Sequence, residues 1–185
     1  MATLVLVNGP PASGKSTVAA GLVERRPLAL DLDVDVVRGL LGAWRADPMG
    51  AGLAARRVAL AMAASHLGAG RDVVVPQFLA REEFIQQLTA AAHAAHARFV
   101  EVALVPTRSQ AIEAFARRSA SPTTQQHRDA AADVERAGGA PALEAMYDAY
   151  LELLDRRPHT HRIDVVDGDV TGTIDRVEAI MDEGV

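Results

Sequence analysis

The sequence predicts an α/β domain in which five parallel strands alternate with helices on both faces of the sheet. Short apolar or β-branched runs recur along the chain and are separated by stretches of helical periodicity. The first run, Thr3 to Val7, has five such residues in a row, as a strand buried on both faces requires. The alternation continues without an internal repeat, so we expect one doubly wound domain over residues 1–185.

The remaining elements are predicted from the same signals. The other strands are predicted at 28–33, 72–75, 98–105 and 162–166. Helices are predicted after the first and second strands and at 51–69, 80–97, 108–118, about 128–137, 141–155 and 171–182. Gly138 and Gly139 separate two of these helices, because paired glycines interrupt a helical pattern.

The composition excludes several classes of protein. Hydrophobic residues make up 49% of the 185 residues and charged residues 23%, which excludes a disordered chain. Cysteine is absent, so disulfides, zinc–thiolate sites and thiol nucleophiles are excluded. No apolar run approaches the ~20 residues of a membrane span, and the start lacks the basic region of a secretion signal. We therefore expect a cytoplasmic protein without a membrane partner.

The net charge argues against nucleic acid as a partner. The formal charge is −5, whereas nucleic-acid binding calls for a basic stripe. Lys15 is the only lysine among the 19 basic residues, so it stands where an arginine would not serve. The sequence carries no indication of the oligomeric state.

A glycine-rich loop joins the first strand to the first helix. Gly9 and Gly14-Lys15-Ser16 fit the P-loop pattern G-x-x-x-x-G-K-[ST] in the strand-to-helix context that this motif needs. Backbone amides of such a loop surround phosphates, and the helix N-terminus adds its positive end. Lys15 would reach the β- and γ-phosphates, and Ser16 would bind Mg²⁺. The predicted nucleotide-binding residues of the loop are Gly9, Ala12, Ser13, Gly14, Lys15, Ser16 and Thr17.

Two classes of P-loop protein are excluded by motifs that the rest of the chain lacks. The guanine-reading motif N/T-K-x-D of switch GTPases needs a second lysine, and Lys15 is the only one. Motor-type ATPases place an aspartate at the end of an apolar strand, but the third strand ends in Pro76-Gln77. Small kinases remain, with ATP and Mg²⁺ as the expected cofactors.

Carboxylates and an arginine come directly after the second strand. Asp35 lies near the start of the second helix and Arg38 three residues later on the same face. In an open α/β sheet this region lies beside the P-loop. Asp35 there is suited to accept the proton of an acceptor hydroxyl, while Arg38 orients the acceptor; the alternative is a capping carboxylate paired with an arginine. Asp33 either holds a magnesium-bound water or simply ends the strand.

These residues resemble the small P-loop kinases. Gly9 to Thr17 followed by Asp33-Val34-Asp35-Val36-Val37-Arg38 looks like the motifs of chloramphenicol phosphotransferase, shikimate kinase, gluconate kinase, zeta toxin and the kinase domain of polynucleotide kinase. The resemblance implies a three-layer P-loop NTPase fold with a five-stranded parallel sheet and a catalytic aspartate at Asp35. It also implies a mobile, arginine-bearing helical lid, at about 117–140. These motifs indicate a reaction and not an acceptor.

Further site residues are predicted from their positions after the strands. Arg117 and Arg118 precede a Ser/Pro/Thr-rich loop, where lid arginines would offset charge on the transferring phosphoryl group, or would merely complement the helix dipole. Asp167 and Gly168 come after the fifth strand, where related kinases hold adenine; a plain turn is the alternative. Gln77 and Phe78 come after the third strand, where the acceptor pocket should lie.

The sequence thus predicts a phosphotransferase that moves the γ-phosphate of ATP to a hydroxyl of a small molecule. Two alternatives stay open. One is a 5′-hydroxyl kinase of polynucleotides, favoured by the spacing of Asp35 and Arg38 and disfavoured by the net acidity. The other is a nucleotide-binding regulatory protein with little turnover.

Overall fold

The computed structural model describes residues 1–183; the last two residues of the predicted 1–185 domain lie outside the described residues. The strands are β1 (Thr3–Asn8), β2 (Leu30–Asp31), β3 (Val73–Gln77), β4 (Arg98–Val105) and β5 (His161–Asp164). The helices are α1 (Lys15–Arg25), α2 (Val34–Gly39), α3 (Pro48–Gly68), α4 (Glu83–Ala94), α5 (Arg108–Ala120), α6 (Gln125–Ala137), α7 (Ala140–Asp155) and α8 (Val170–Asp182). A 3₁₀ turn, Trp44–Ala46, precedes α3.

The five strands form one parallel sheet in the order β2-β3-β1-β4-β5, which confirms the predicted architecture. β1 lies in the middle, so the chain leaves it toward one edge of the sheet and later returns to its other side at β4. The carboxyl end of β1 is therefore a topological switch point, where open α/β sheets form their binding crevice. β2 is shorter than predicted, because only Leu30 and Asp31 pair with β3.

Two cores cover the two faces of the sheet. Leu4 and Leu6 of β1 point into a core shared with α2, α3 and α4, while Val5 and Val7 point into a second core shared with α1 and α8. All six residues of β1 are buried, which explains why its sequence reads as a continuous apolar run and not as an alternating one. Helices on both faces of the sheet are thereby confirmed.

Helix α3 packs through small side chains. Its buried residues recur every four positions, as one face of a helix requires: Ala51, Ala55, Ala59, Ala63 and Leu67. Alanine lets the helix backbone approach its neighbours closely, and α3 contacts both α2 and α4. None of the helices within residues 1–183 is long and apolar enough to cross a membrane.

Helices α5, α6 and α7 share a small core of their own. Phe115, Val134 and Leu143, one from each helix, form it. Helix α5 begins just after the carboxyl end of β4 with a capping box, in which Thr107 and Gln110 bond each other's backbone amides. Helix α5 therefore starts on the same side of the sheet as the P-loop, and the predicted lid segment 117–140 runs from its last turn through α6 to the start of α7.

One buried side chain, that of Asn8, joins the end of β1 to the loop after β3. Its Oδ1 accepts hydrogen bonds from the amides of Gly9 (2.8 Å) and Leu79 (2.9 Å), and its Nδ2 donates to the Leu79 carbonyl (3.0 Å). Asn8 is fully buried, so no water can replace these bonds. Tyr150 of α7 donates its hydroxyl to the Leu104 carbonyl (3.0 Å) at the neighbouring strand end.

We predict that Asn8→Ala lowers the free energy of unfolding by about 3 kcal/mol, because it leaves two buried amides and a carbonyl without partners. Chemical denaturation monitored by circular dichroism measures this change. Gln86→Ala, an exposed substitution on α4, is the control and should change stability by less than about 0.5 kcal/mol. Equal losses in both variants would contradict the structural role of Asn8.

Candidate active site

The P-loop adopts a conformation that its glycines make possible. A Cβ atom at Gly9 would lie 2.5 Å from Ser13 Oγ and 3.2 Å from the Leu104 carbonyl oxygen, so only glycine fits there. Gly14 has φ +91°, a left-handed conformation that glycine adopts without strain. Ala12 also has a positive φ, of 65°. The loop is thus held in a curled arrangement around the start of α1.

Several donors of this loop have no hydrogen-bond partner within residues 1–183. No side chain caps the N-terminus of α1, whose first amides therefore face the cradle unbonded. Ser13 Oγ is buried and lacks a hydrogen-bond partner. Free amides at a helix N-terminus together with a buried, unpaired hydroxyl fit the phosphates of a nucleotide.

Lys15, the first residue of α1, is half-buried beneath this loop. Its Nζ donates a hydrogen bond to the Pro10 carbonyl oxygen at 2.8 Å. Burial, followed by the nearby positive charge of Arg118, lowers the pKa of Lys15 from 10.5 to about 7; the carboxylates of Asp35 and Asp33 oppose this shift. Nearby anions therefore stabilise the charged form of Lys15 too weakly, and the phosphate groups of a ligand would supply the missing negative charge.

Helix α2 places two carboxylates beside the P-loop. Asp33 caps the helix, because its Oδ1 accepts hydrogen bonds from the amides of Asp35 (2.8 Å) and Val36 (3.4 Å). Burial, and then the charge of Asp35, raises the pKa of Asp33. Capping accordingly falls to Asp33 and leaves the Asp35 side chain free of that role.

Arg38 lies between carboxylates of two different helices. Its Nη2 is 3.3 Å from Asp35 Oδ1, and its Nη1 is 3.7 Å from Asp133 Oδ2 on α6. The side chain is 18% exposed, and its buried Nε has no hydrogen-bond partner. The sequence had placed Asp35 and Arg38 on one face and left their pairing as an alternative, whereas the contact with Asp133 comes from α6 and has no signal in the sequence.

A stack of one aromatic ring between two guanidinium groups extends from Arg38 to α6. Trp44 lies 4.6 Å from the guanidinium of Arg38 and 4.3 Å from that of Arg45. Arg45 in turn donates to both carboxylate oxygens of Asp129 on α6, at 2.9 and 3.0 Å. Asp129 and Asp133 are one turn apart, so the same face of α6 contacts both arginines.

The two arginines at the end of α5 point to different places. Arg118 is partly buried near Lys15 and Asp35, with a buried Nε that lacks a hydrogen-bond partner, and burial lowers its pKa while Asp35 opposes that shift. Arg117 is 62% exposed and its Nη2 lies 4.0 Å from Asp167 Oδ2. Consecutive positions of a helix diverge by ~100°, and here the divergence sends one arginine to each side of the P-loop.

A cavity of about 520 Å³ lies on one side of the P-loop and brings half of the predicted site residues together. It is lined by Lys15, Ser16, Asp33, Asp35, Arg38, Gln77, Phe78 and Arg118, all predicted from the sequence. Gln77 Oε1 is buried there without a partner. Sequence reasoning missed other lining residues, among them Asp31, Met62, His127, Asp133 and Met146. They come from four elements (β2, α3, α6 and α7) that only the fold brings together, so no local motif could have revealed the set.

A smaller cavity, of about 170 Å³, lies on the other side of the P-loop. Its lining includes Ala12, Ser13, Gly14, Arg117, Asp167 and Gly168, so it joins the other predicted nucleotide-binding residues. Gly9 and Thr17 line neither cavity: Gly9 packs beneath the loop, and Thr17 lies exposed in the first turn of α1. The loop thus separates a compartment suited to a nucleoside from one suited to an acceptor.

Sequence comparison supplies the family. A family model described as an AAA domain matches residues 4–137. The chain belongs to the AAA domain family. The match covers the P-loop, both carboxylates at the start of α2 and all of α6. Among curated proteins, none matches the sequence.

Solved structures share the fold of this AAA domain protein. APS kinase from Mycobacterium tuberculosis, in complex with AMPPNP and APS, is 22% identical with a TM-score of 0.66, over 97% of each chain. A sugar kinase from Janibacter is 16% identical with a TM-score of 0.63, over 98% of this chain and 95% of that one. Shikimate kinase from Acinetobacter baumannii, in complex with shikimate, has the same identity and TM-score, over 98% and 93%. The chain therefore has the P-loop NTPase fold of small kinases, as its motifs predicted.

Ser16 and Asp33 are the residues suited to a magnesium ion. Both line the 520 Å³ cavity beside Lys15. Within residues 1–183, no three His, Cys, Asp or Glu side chains are grouped as a metal site of their own. Magnesium usually keeps several waters and takes its remaining ligands from one or two protein groups and nucleotide phosphates, which is what this donor set offers.

We predict that nucleotide binding above neutral pH takes up a proton at Lys15. With a pKa of about 7 the free amine is mostly neutral at pH 8.5, and phosphates would restore its charge. Titration calorimetry of Mg·ATP at pH 8.5 in buffers of different ionisation enthalpy should show uptake of about one proton. Affinity should then fall as the pH rises from 7 to 9.

Lys15→Arg provides the control for this experiment, because a guanidinium keeps its charge over this range and its binding should involve no uptake. Binding to the unaltered protein without proton uptake at pH 8.5 would show that Lys15 is already charged in the free protein.

Proposed function

We propose that this protein is an ATP- and Mg²⁺-dependent phosphotransferase that moves the γ-phosphate to a hydroxyl of a small molecule. One observation carries the proposal: Lys15 and Ser16 of the P-loop share a cavity of about 520 Å³ with Asp35 and Arg118. Phosphate-binding groups, a carboxylate and a cation around one cavity are what transfer to a hydroxyl requires. The kinase-like fold agrees with this function.

The nucleotide would lie along the P-loop. The free amides at the start of α1, the Ser13 hydroxyl and the Lys15 ammonium would bind the phosphates. The base would occupy the 170 Å³ cavity near Asp167 and Gly168, with Arg117 at its edge. Magnesium, held by Ser16 and the region of Asp33, would neutralise charge on the phosphates.

Asp35 would act as the base toward the acceptor. In the reaction the acceptor oxygen bonds to the γ-phosphorus, the bond from that phosphorus to the β,γ-bridging oxygen breaks, and the hydroxyl proton passes to the carboxylate. Asp33 is occupied as the cap of α2, while the Asp35 carboxylate lines the cavity and has Arg38 as its only ion-pair partner among the described residues. The neighbouring Arg118 would stabilise charge that develops on the transferring group.

A second candidate, a 5′-hydroxyl kinase of polynucleotides, is favoured by one observation. A groove of about 810 Å³ adjoins the acceptor cavity at Phe78 and is lined by Arg56, Arg57 and Arg81. No ion pair of these three arginines is found within residues 1–183. Binding of oligonucleotides that weakens steeply with salt would support this candidate, whereas a small-molecule acceptor gives no such dependence.

We predict that Asp35→Asn lowers acceptor-dependent ADP release by about a hundredfold or more, because the amide cannot accept the proton. The measurement uses Mg·ATP with pooled sugars, phenicol and aminoglycoside antibiotics, nucleosides and 5′-hydroxyl oligonucleotides. Asp155→Asn, an exposed change at the end of α7, is the matched control. ADP release that is equal in Asp35→Asn and indifferent to every acceptor would instead favour a regulatory nucleotide-binding protein.

We also predict that substitutions of the two arginines at the end of α5 change different kinetic constants. Arg118→Ala should lower kcat about a hundredfold, because Arg118 lies by Lys15 and Asp35. Arg117→Ala should chiefly raise KM for ATP, by about threefold to tenfold, because its side chain reaches toward Asp167 in the nucleoside compartment. The two variants control for each other, and the reverse pattern would show that the assignment of the two arginines is wrong.

A further inference from the structure

We propose that the acceptor cavity selects against anions, so that the part of the acceptor next to Arg38 is uncharged or carries an ammonium group. This inference rests on the proposed function, because it concerns the acceptor of that reaction. Its basis is the charge environment of Arg38, the cation that α2 contributes to the lining of the cavity. A guanidinium at this position would ordinarily attract a carboxylate or a phosphate.

Arg38 is already neutralised within the protein. Asp35 lies 3.3 Å from one terminal nitrogen of its guanidinium and Asp133 3.7 Å from the other. The ring of Trp44 covers a face of the same group at 4.6 Å. An acidic acceptor would have to displace Asp133 or approach two carboxylates, and like-charge approach in a half-buried site is unfavourable. Arg38 therefore offers an acceptor little positive charge.

The remaining charges of the cavity point the same way. Lys15 and Arg118 lie where the phosphates would bind, so a bound nucleotide would use their charge. Burial and Arg118 lower the pKa of His127, which leaves its ring neutral at pH 7. Asp31 adds a further carboxylate to the lining. The acceptor side of the cavity is thus net negative once a nucleotide is present.

Two buried polar atoms in the cavity match an uncharged hydroxyl. Arg38 Nε is a donor without a partner, and Gln77 Oε1 is an acceptor without one. A hydroxyl group both donates and accepts, whereas a carboxylate only accepts and would leave the Gln77 oxygen unpaired. Apolar side chains complete the lining, including Val36, Leu40, Met62, Phe78 and Met146. The cavity therefore fits a hydroxyl compound with an apolar body.

Asp133 is the residue that sets this selectivity. One of its carboxylate oxygens pairs with Arg38, and the other accepts from Arg136 (2.7 Å) on the outer side of α6. Removing its charge would free one side of the Arg38 guanidinium for an acidic ligand. A longer acceptor could place anionic groups beyond Phe78, in the arginine-lined groove. The test therefore uses short probes that do not reach this groove.

The test compares three probes that share one phenyl carbinol: mandelate, 1-phenyl-1,2-ethanediol and 2-amino-1-phenylethanol. Each is titrated into the protein holding Mg²⁺ and a non-hydrolysable ATP analogue, so that Lys15 and Arg118 are occupied. Fluorescence of Trp44, the only tryptophan of the sequence, reports binding next to Arg38, and calorimetry checks the affinities. We expect the diol and the amine to bind at least about tenfold more tightly than mandelate.

The decisive comparison is between variants. Asp133→Asn should bind mandelate at least about tenfold more tightly than the unaltered protein, and the added change Arg38→Gln should abolish that gain. Glu135→Gln removes the same charge from α6 away from Arg38 and should change nothing. The proposal is overturned if the unaltered protein binds mandelate as tightly as the diol. It is equally overturned if Asp133→Asn gains no mandelate affinity, including when mandelate binds neither protein.

Binding is measured here without turnover, so the two proposals fail separately. A phosphotransferase whose acceptor proves to be a small hydroxy acid would overturn the charge selectivity alone. A protein that shows the mandelate gain in Asp133→Asn but releases no ADP with any acceptor would overturn the proposed function alone.

Discussion

The hydrogen bonds of one buried amide, that of Asn8, hold the two halves of the site in a fixed relation. Asn8 ends the central strand, and its side chain bonds both the first amide of the P-loop and the backbone of Leu79 after β3. The P-loop provides the phosphate-binding groups. Gln77, at the end of β3, and Phe78 lead directly into Leu79. Because the Asn8 side chain is fully buried, water cannot replace its hydrogen bonds. Breaking them would leave buried polar groups unpaired, which is energetically costly.

Several ionisable groups of the site are held in surroundings that a bound ligand would change. Burial lowers the pKa of Lys15 and Arg118 and raises that of Asp31 and Asp33, so each of these groups is held where its charged form is disfavoured. Opposed shifts of this kind within one cavity are typical of functional sites. A nucleotide with its metal would bring charge of both signs into this space, so ligand binding and the protonation of the site are coupled.

The sequence predicted the parts of the site that depend on neighbouring residues. The P-loop, the two carboxylates at the start of α2 and the placement of Asp35 and Arg38 on one face are local, since each lies within one turn or helix. The cap is an exception, because the sequence offered Asp35 as the capping residue and the structure gives that role to Asp33. Five parallel strands were predictable because burial on both faces leaves uninterrupted apolar runs. By contrast, the opposite directions of Arg117 and Arg118 depend on how α5 sits against the P-loop. Asp133 reaches Arg38 only because α6 folds back over α2.

The contact between Asp133 and Arg38 makes the charge of the acceptor cavity depend on the position of α6. Arg38 and Asp133 belong to different helices, as do Arg45 and Asp129, so any displacement of α6 away from α2 breaks both pairs at once. With α6 displaced, the Arg38 guanidinium loses one carboxylate and the cavity becomes more attractive to anions. With α6 in place, the Arg38 guanidinium is paired with a carboxylate on each side. The proposed selectivity against anions therefore depends on the contact between α6 and α2, because α6 supplies the carboxylate that discriminates.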